Sequence, residues 1–189
     1  MSMYKSMKST FIEEYKTRPD LYKNRLVEWG LQPPIVKVDK PTNIARARSL
    51  GYRAKPGVII VRVKMKGGKK KRERNWGGRK PSKAGRFFAR VKSMQAIAEE
   101  RAATKFRNFE VLNSYFVGSA GSRRFYEVIL LDRVNPSITS DPVYKGIIAQ
   151  KSRAFRGLTY AGRKHRGMVK HSFGTGKLGP SKNQSIREH

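Results

Sequence analysis

Two glycines followed by four consecutive cations, Gly67-Gly68-Lys69-Lys70-Lys71-Arg72, make the densest charge in the chain. Lysine and arginine packed this closely contact phosphate, and the glycines ahead of them let the backbone approach a polyanion. Arg74, Arg79, Lys80 and Arg86 extend the run, with Trp76 among them. An indole there either stacks on a base, covers a sugar or tucks back onto the domain. A solvated surface loop or a localisation tag is the plainer account of the cations alone.

Other chemistries fail on spacing. Gly174-Thr175-Gly176-Lys177 carries the Gly-Lys pair of a phosphate loop, but His171 stands where the first glycine belongs and Leu178 where Ser or Thr is needed. Gly67-Gly68-Lys69 fails likewise, and neither stretch follows a strand and opens a helix. Nucleotide hydrolysis is therefore excluded. His165 and His171 sit among cations with no carboxylate nearby, so His165 reads as a neutral hydrogen-bond donor rather than a metal ligand. Glu110, Glu127 and Asp132 would be needed to hold magnesium in a nuclease. Their placement along two expected strands favours surface or salt-bridge roles instead. The absence of Cys removes disulfides, thiol nucleophiles and zinc-thiolate sites. No cofactor, metal or small-molecule substrate is indicated.

The charge is unevenly spread. From Lys40 to Ala98 there are nineteen basic residues and one acid, Glu73; from Pro142 to Arg187 there are eleven basic residues and no acid. A formal charge of +30 on 189 residues repels itself whenever the chain is compact and unpartnered. Nucleic acid is the natural counterion. A membrane binder would place its cations on an amphipathic helix or beside a lipidation site, whereas here they lie in Gly- and Pro-containing stretches. No apolar run approaches the ~20 residues that span a bilayer, and the N-terminus lacks a secretion signal; the reading is a soluble, intracellular protein.

The elements that must position these cations form one domain over residues 1–189. Tyr4, Met7, Phe11 and Tyr15 predict a helix over 3–16 that stops before Pro19. Asp20 is expected to cap a second helix carrying Tyr22, Leu26 and Trp29, ended by Gly30 and Pro33-Pro34. Residues 35–57 read as connection, with a short helix over Asn43–Leu50 showing Arg46 and Arg48 on adjacent faces. Val58–Lys66 alternates as a strand, Ile59, Val61, Val63 and Met65 on one face and Ile60, Arg62, Lys64 and Lys66 on the other, running out to a charged surface. The basic loop 67–85 has little to bury and is expected to lack a fixed shape without its partner. Phe87, Val91, Met94, Ala98 and Ala102 predict a helix, with Arg86 and Arg90 near its start and Glu99 and Glu100 near its end. Val111–Val117 and Phe125–Leu131 form a hairpin around a Gly118–Ser122 loop. Val143–Gln150 is helix-compatible, and Arg153 to His189 reads as an extended basic tail. The class is α+β: a small, mostly antiparallel sheet with packed helices over a 57–132 core, N-terminal helices over 1–34, long basic loops and a tail over 151–189.

Four blocks carry a resemblance: Arg46–Lys55 with the strand and Gly67–Arg72 behind it, Ala98-Glu-Glu-Arg-Ala102 with Val111–Gly118, Phe125–Asp132, and Arg156-Gly-Leu-Thr-Tyr-Ala-Gly-Arg-Lys-His-Arg-Gly167. In this order they resemble the large-subunit ribosomal protein family L15e of archaea and eukaryotes, and the short C-terminus after Met168 is similar to archaeal members. The resemblance implies a non-catalytic, cytoplasmic constituent of the large ribosomal subunit whose partners are 23S-type rRNA and neighbouring subunit proteins. On the residues themselves, Arg46, Arg48, Arg53, Lys55, Lys69, Lys70, Lys71, Arg72, Arg74, Arg79, Lys80, Arg86, Arg153, Arg156, Arg163, Lys164 and Arg166 are the expected backbone contacts, with Trp76 and His165 as stacking or donor groups. A chromatin or duplex-DNA binder would share the charge but calls for a recognition helix, dimerising helices or a minor-groove wedge, none of which is evident.

Overall fold

A computed structural model describes residues 3–68, 70–71, 77–78, 87–88, 92–166 and 168, with 70–71 and 87–88 as backbone. Helix α1 (Met3–Thr17) and helix α2 (Asp20–Leu31) stand where expected; Phe11 and Tyr15 of the first pack beside Tyr22, Leu26 and Trp29 of the second, while Tyr4 and Met7 of the first stripe are exposed. Asp20 is not the cap. Pro19 takes that position without a side-chain bond, and Asp20 begins the helix and pairs with Lys23 at 3.0 Å. Gly30 lies inside the helix, which ends at Leu31 ahead of Pro33-Pro34, and two cations satisfy its last carbonyls. Lys64 Nζ donates to the carbonyls of Gly30 and Gln32, each at 2.7 Å, and Arg123 donates to Gly30 at 3.0 Å. Positive charge on the last carbonyls of a helix satisfies them and opposes the negative end of its dipole.

Four strands make one antiparallel sheet in the order β1 (Ile35–Val38), β2 (Val58–Lys66), β6 (Arg123–Asp132), β5 (Phe109–Ala120). β1 lies in what the sequence suggests is mere connection. Four residues straight after Pro33-Pro34 give little periodic signal, and proline tolerates only the start of such an edge strand. Helix α3 (Ile44–Ser49) stands where expected, capped by the Asn43 side chain accepting from the Arg46 amide at 2.9 Å. β2 matches its predicted bounds and faces. Ile60 packs with α2, Ala47 of α3, Tyr115, Val117, Phe125 and Ile129; Val61, Val63 and Met65 pack on the opposite face with Val111, Val128 and Leu130.

That opposite face is covered by helix α4 (Met94–Lys105) through Ala98 and Ala102. The helix starts later than its apolar spacing suggests, because Ser93 caps it, accepting from the Ala96 amide at 3.2 Å. Phe87–Phe88 instead forms strand β4, paired antiparallel with β3 (Lys70–Lys71). The stretch expected to be shapeless is thus paired at its base, and two adjacent aromatics suit a strand better than a helix. Arg86 and Arg90 therefore both precede α4, which carries Lys105 in its last turn, where the helix dipole favours a cation.

The hairpin is longer and tighter than predicted. β5 and β6 continue to Ala120 and Arg123, leaving a two-residue turn whose Gly121 has φ +53°. Gly118 belongs to the strand, at a register shift; a Cβ there would meet the Tyr22 hydroxyl at 2.6 Å. Helices α5 (Pro136–Thr139) and α6 (Pro142–Ile148) bring Ile138 and Tyr144 against Leu131. The first part of the stretch read as a tail is folded: turns over 151–157 lead to helix α7 (Tyr160–His165), which packs on α4. No helix among the described residues is long and apolar enough to cross a membrane.

Three fully buried glutamates tie these parts together. Glu127 accepts from the Tyr115 hydroxyl at 2.5 Å, the Thr42 hydroxyl at 2.5 Å, the Thr42 amide at 3.0 Å and Arg62 at 3.3 Å. Glu110 accepts from the Ser152 and Arg153 amides, both at 2.9 Å. Glu99, in mid-helix, accepts from the Ser114 hydroxyl and from that of Thr159 at 2.5 Å. The surface alternative for Glu110 and Glu127 is therefore corrected, since each carries enough fixed donors to be buried, while the salt-bridge alternative holds for Glu127 through Arg62 at 3.3 Å.

Burial pushes the Glu99 carboxyl above its ordinary value of 4.5, although the two hydroxyls oppose this. The folded chain then holds that proton more tightly than the unfolded chain does. The stability this contributes is present below pH 4.5 and declines as pH rises through 4.5 toward the folded value. Glu99→Gln should stay within about 1 kcal/mol of the parent and lack this decline, so urea titrations from pH 4 to 8 should show it gaining on the parent with pH. Glu99→Ala, leaving two buried hydroxyls unpaired, should cost about 2–4 kcal/mol.

Candidate nucleic-acid interface

Short helices on opposite faces of the sheet present the cations. On the α2 side, Ala47 of α3 is wholly buried while Arg46 and Arg48 beside it are exposed. Arg48 is positioned by Tyr4 of α1, its guanidinium hydrogen-bonded to the tyrosine hydroxyl and 5.5 Å above the ring. On the α4 side, Ala161 and Gly162 of α7 are buried while Arg163 and Lys164 point outward at its C-terminal end. The α7 segment sits close because Gly157 (φ +65°) and Gly162 pack backbone to backbone; a Cβ on Gly162 would meet the Gly157 Cα at 2.6 Å.

Arg53 and Lys55 share the Asp141 carboxylate, at 3.8 and 2.7 Å, and Asp141 caps α6 by accepting from Val143 at 3.0 Å. The Lys55 hydrogen bond, followed by the Val143 amide, holds that carboxyl below its ordinary value of 3.8. Both cations remain exposed, so the pair is a partly neutralised surface site rather than a core bond.

Arg156 is exposed with its Nε on the Lys151 carbonyl at 3.0 Å, and Arg166 and His165 are half-buried beside it. Among the described residues no carboxylate lies within ion-pair distance of Arg46, Arg48, Arg156, Arg163, Lys164 or Arg166. Arg153 is turned inward, donating to the Val111 carbonyl at 2.6 Å; burial pulls its guanidinium below the usual arginine range, against the pull of Glu110 and Glu99. Its place serves the fold. Lys70 and Lys71 lie in β3, and Lys69, Arg72, Arg74, Trp76, Arg79, Lys80 and Arg86 lie outside the described residues.

Sequence reasoning passed over Arg101, Arg107 and Arg124, all exposed. Arg101 lies within α4, Arg107 just after it and Arg124 beside Arg123 at the start of β6, and none of them falls in one of the long basic runs. Arg62 and Lys64 were expected on a charged surface and are instead internal: Arg62 lies 3.9 Å over the Trp29 ring and reaches Glu127. Only the partners contributed by distant segments reveal that. Among the described residues no three acids or histidines cluster as a metal site.

The class defined by this arrangement is an α+β domain that buries Glu99, Glu110 and Glu127 and carries exposed, unpaired cations on both faces of its sheet among the described residues. The family described as Ribosomal L15 matches residues 2–185, and the chain belongs to it. It is 42% identical over 190 residues to the large ribosomal subunit protein eL15 of Nanoarchaeum equitans, all of both chains being covered. It is 45% identical over 172 residues to the large ribosomal subunit protein eL15 of Metallosphaera sedula, covering 89% of this chain and 79% of that one.

Asp141→Asn keeps an α6 cap but frees Arg53 and Lys55. A carboxyl with a lowered pKa contributes stability present above its unfolded value and lost as pH falls through the folded one. The melting-temperature advantage of the parent over this variant should therefore hold at pH 5–7 and vanish below pH 3.8. Scanning calorimetry across that range measures it.

Proposed function

We propose that this chain, a structural constituent of the large ribosomal subunit in the cytoplasm, binds and stabilises 23S-type rRNA through its basic loop, its tail and the two cation-bearing helices. The observation that carries this reading is the outward placement of Arg46, Arg48, Arg163 and Lys164 on opposite faces of one sheet. A protein laid against a single duplex concentrates charge on one side, whereas cations on both faces suit a domain embedded between RNA segments. Neighbouring subunit proteins are its other expected partners, and the family assignment supports both.

Each phosphate neutralised releases counterions, so engaging about ten would give a log–log salt slope near −7 to −9. Sedimentation of cell lysate on a density gradient should place the chain with large ribosomal subunits, released only at high salt. Recovery in RNase-resistant chromatin fractions would overturn the reading. Replacing Lys69–Arg72 by Ser should reduce incorporation into subunits while leaving the circular dichroism of the folded domain unchanged. A collapse of that signal would assign the loop to the fold instead.

A further inference from the structure

Phe155 is 52% exposed although Ala154 beside it is buried, and its ring lines two cavities at once. The first, of about 290 Å³, is walled mainly by apolar surface from Ala96, Ala154 and Phe155, with Lys92, His165 and Arg166 at its polar end. His165 Nδ1 and Arg166 Nε are both buried and lack a hydrogen-bond partner among the described residues. The carboxylate on this wall, Glu100, is held by Lys92 at 2.6 Å. The second cavity is lined by Thr104, Arg107, Arg133 and Ser152, and Arg133 Nε is likewise unpartnered. Glu110 borders it, with its oxygens taken by the Ser152 and Arg153 amides.

An exposed aromatic residue shared by a mostly apolar cavity and a second cavity lined by two arginines has the parts that recognise one nucleotide. We propose that this site takes a single unpaired nucleotide of the bound RNA. The base stacks on Phe155 within the first cavity, His165 and Arg166 meet its edge, and Arg107 and Arg133 take the adjoining phosphate. The first cavity is at the small end of the ~300–1,000 Å³ typical of ligand pockets, which suits one base. Every nearby carboxylate among the described residues is already engaged, so the unpaired charge of Arg107 and Arg133 beside Phe155 favours an anion-bearing aromatic over an apolar protein side chain. The proposal rests on the RNA-binding reading above and adds to it a base-recognition point.

The test uses large subunits carrying the full chain, irradiated with ultraviolet light and digested to identify RNA-linked peptides. The expected result is a link from Phe155 to an unpaired rRNA nucleotide. Links elsewhere in the chain but none in 151–166, or a neighbouring protein's side chain in the cavity, would overturn the site while sparing the wider reading. An absence of any link to rRNA would undermine the wider reading itself. In parallel, Phe155→Ala should weaken binding of the purified chain to a single-stranded oligoadenylate by roughly 5- to 100-fold, with duplex RNA of equal length unaffected. Phe155→Trp should restore it. Arg107→Ser with Arg133→Ser should flatten the salt slope, which Phe155→Ala leaves unchanged. Equal single-strand affinity in Phe155→Ala and the parent would refute stacking.

Discussion

The fold depends on three glutamates that it buries. In a chain with thirteen acids against forty-three bases, carboxylates are the scarce group, and Glu99, Glu110 and Glu127 are all buried. Each sits on a regular element and accepts donors from a segment far away in sequence: Thr42 for Glu127, Ser152 and Arg153 for Glu110, Thr159 for Glu99. A buried carboxylate without donors is strongly unfavourable, so these contacts form together with the core or the core does not close. The arrangement makes irregular segments part of the cooperative unit. It explains why residues 151–166, with little periodicity of their own, are folded against the sheet.

The same constraint divides the cations into two groups. Arg62, Lys64, Arg123 and Arg153 spend their charge on carbonyls and carboxylates of the domain. Burial and the neighbouring Glu127 carboxylate push the Tyr115 hydroxyl well above its usual range, so it remains a donor inside the same network. The second group, Arg46, Arg48, Arg163 and Lys164 among it, faces outward with no acid among the described residues within ion-pair distance. Placing acids inside leaves the exterior more positive than composition alone implies. Self-repulsion is then the cost of leaving these cations unpaired within the domain.

What could be read from the sequence follows this division. β2, with Val58–Lys66 alternating cleanly, was legible to the residue, as was the apolar stripe of α2, because periodicity reports burial; in α1 only Phe11 and Tyr15 of the stripe pack, while Tyr4 and Met7 are exposed. The start of α4 was not, since Phe87 and Val91 continue its spacing while Ser93 ends it locally. Gly118 resembled a loop residue but is a strand position kept open for Tyr22. Glu127 and Arg153 resembled surface charges because their partners are more than ten residues away, where local patterning carries no information. Exposed cations on short helices were legible as charge, and inward-turned ones were not distinguishable from them by type.

The two outward-facing helices share a construction that bears on how tightly such a surface can bind. In α3 and α7 a side-chain cap, Asn43 or Thr159, fixes the first turn, and small residues, Ala47 or Ala161 and Gly162, bring the backbone close to the domain. Cations then follow in the last turn, where the helix dipole favours them. A helix of six residues has no stability of its own in water, so its orientation is inherited from the sheet below. Long cationic side chains lose rotamer freedom when they seize a phosphate, and a mobile backbone would add its own ordering cost. Anchoring the backbone beforehand removes that second cost and leaves only the side chains to be ordered. Rigid, shallow helices on both faces are therefore better suited to holding RNA segments at a set separation than a uniformly flexible basic chain of equal charge.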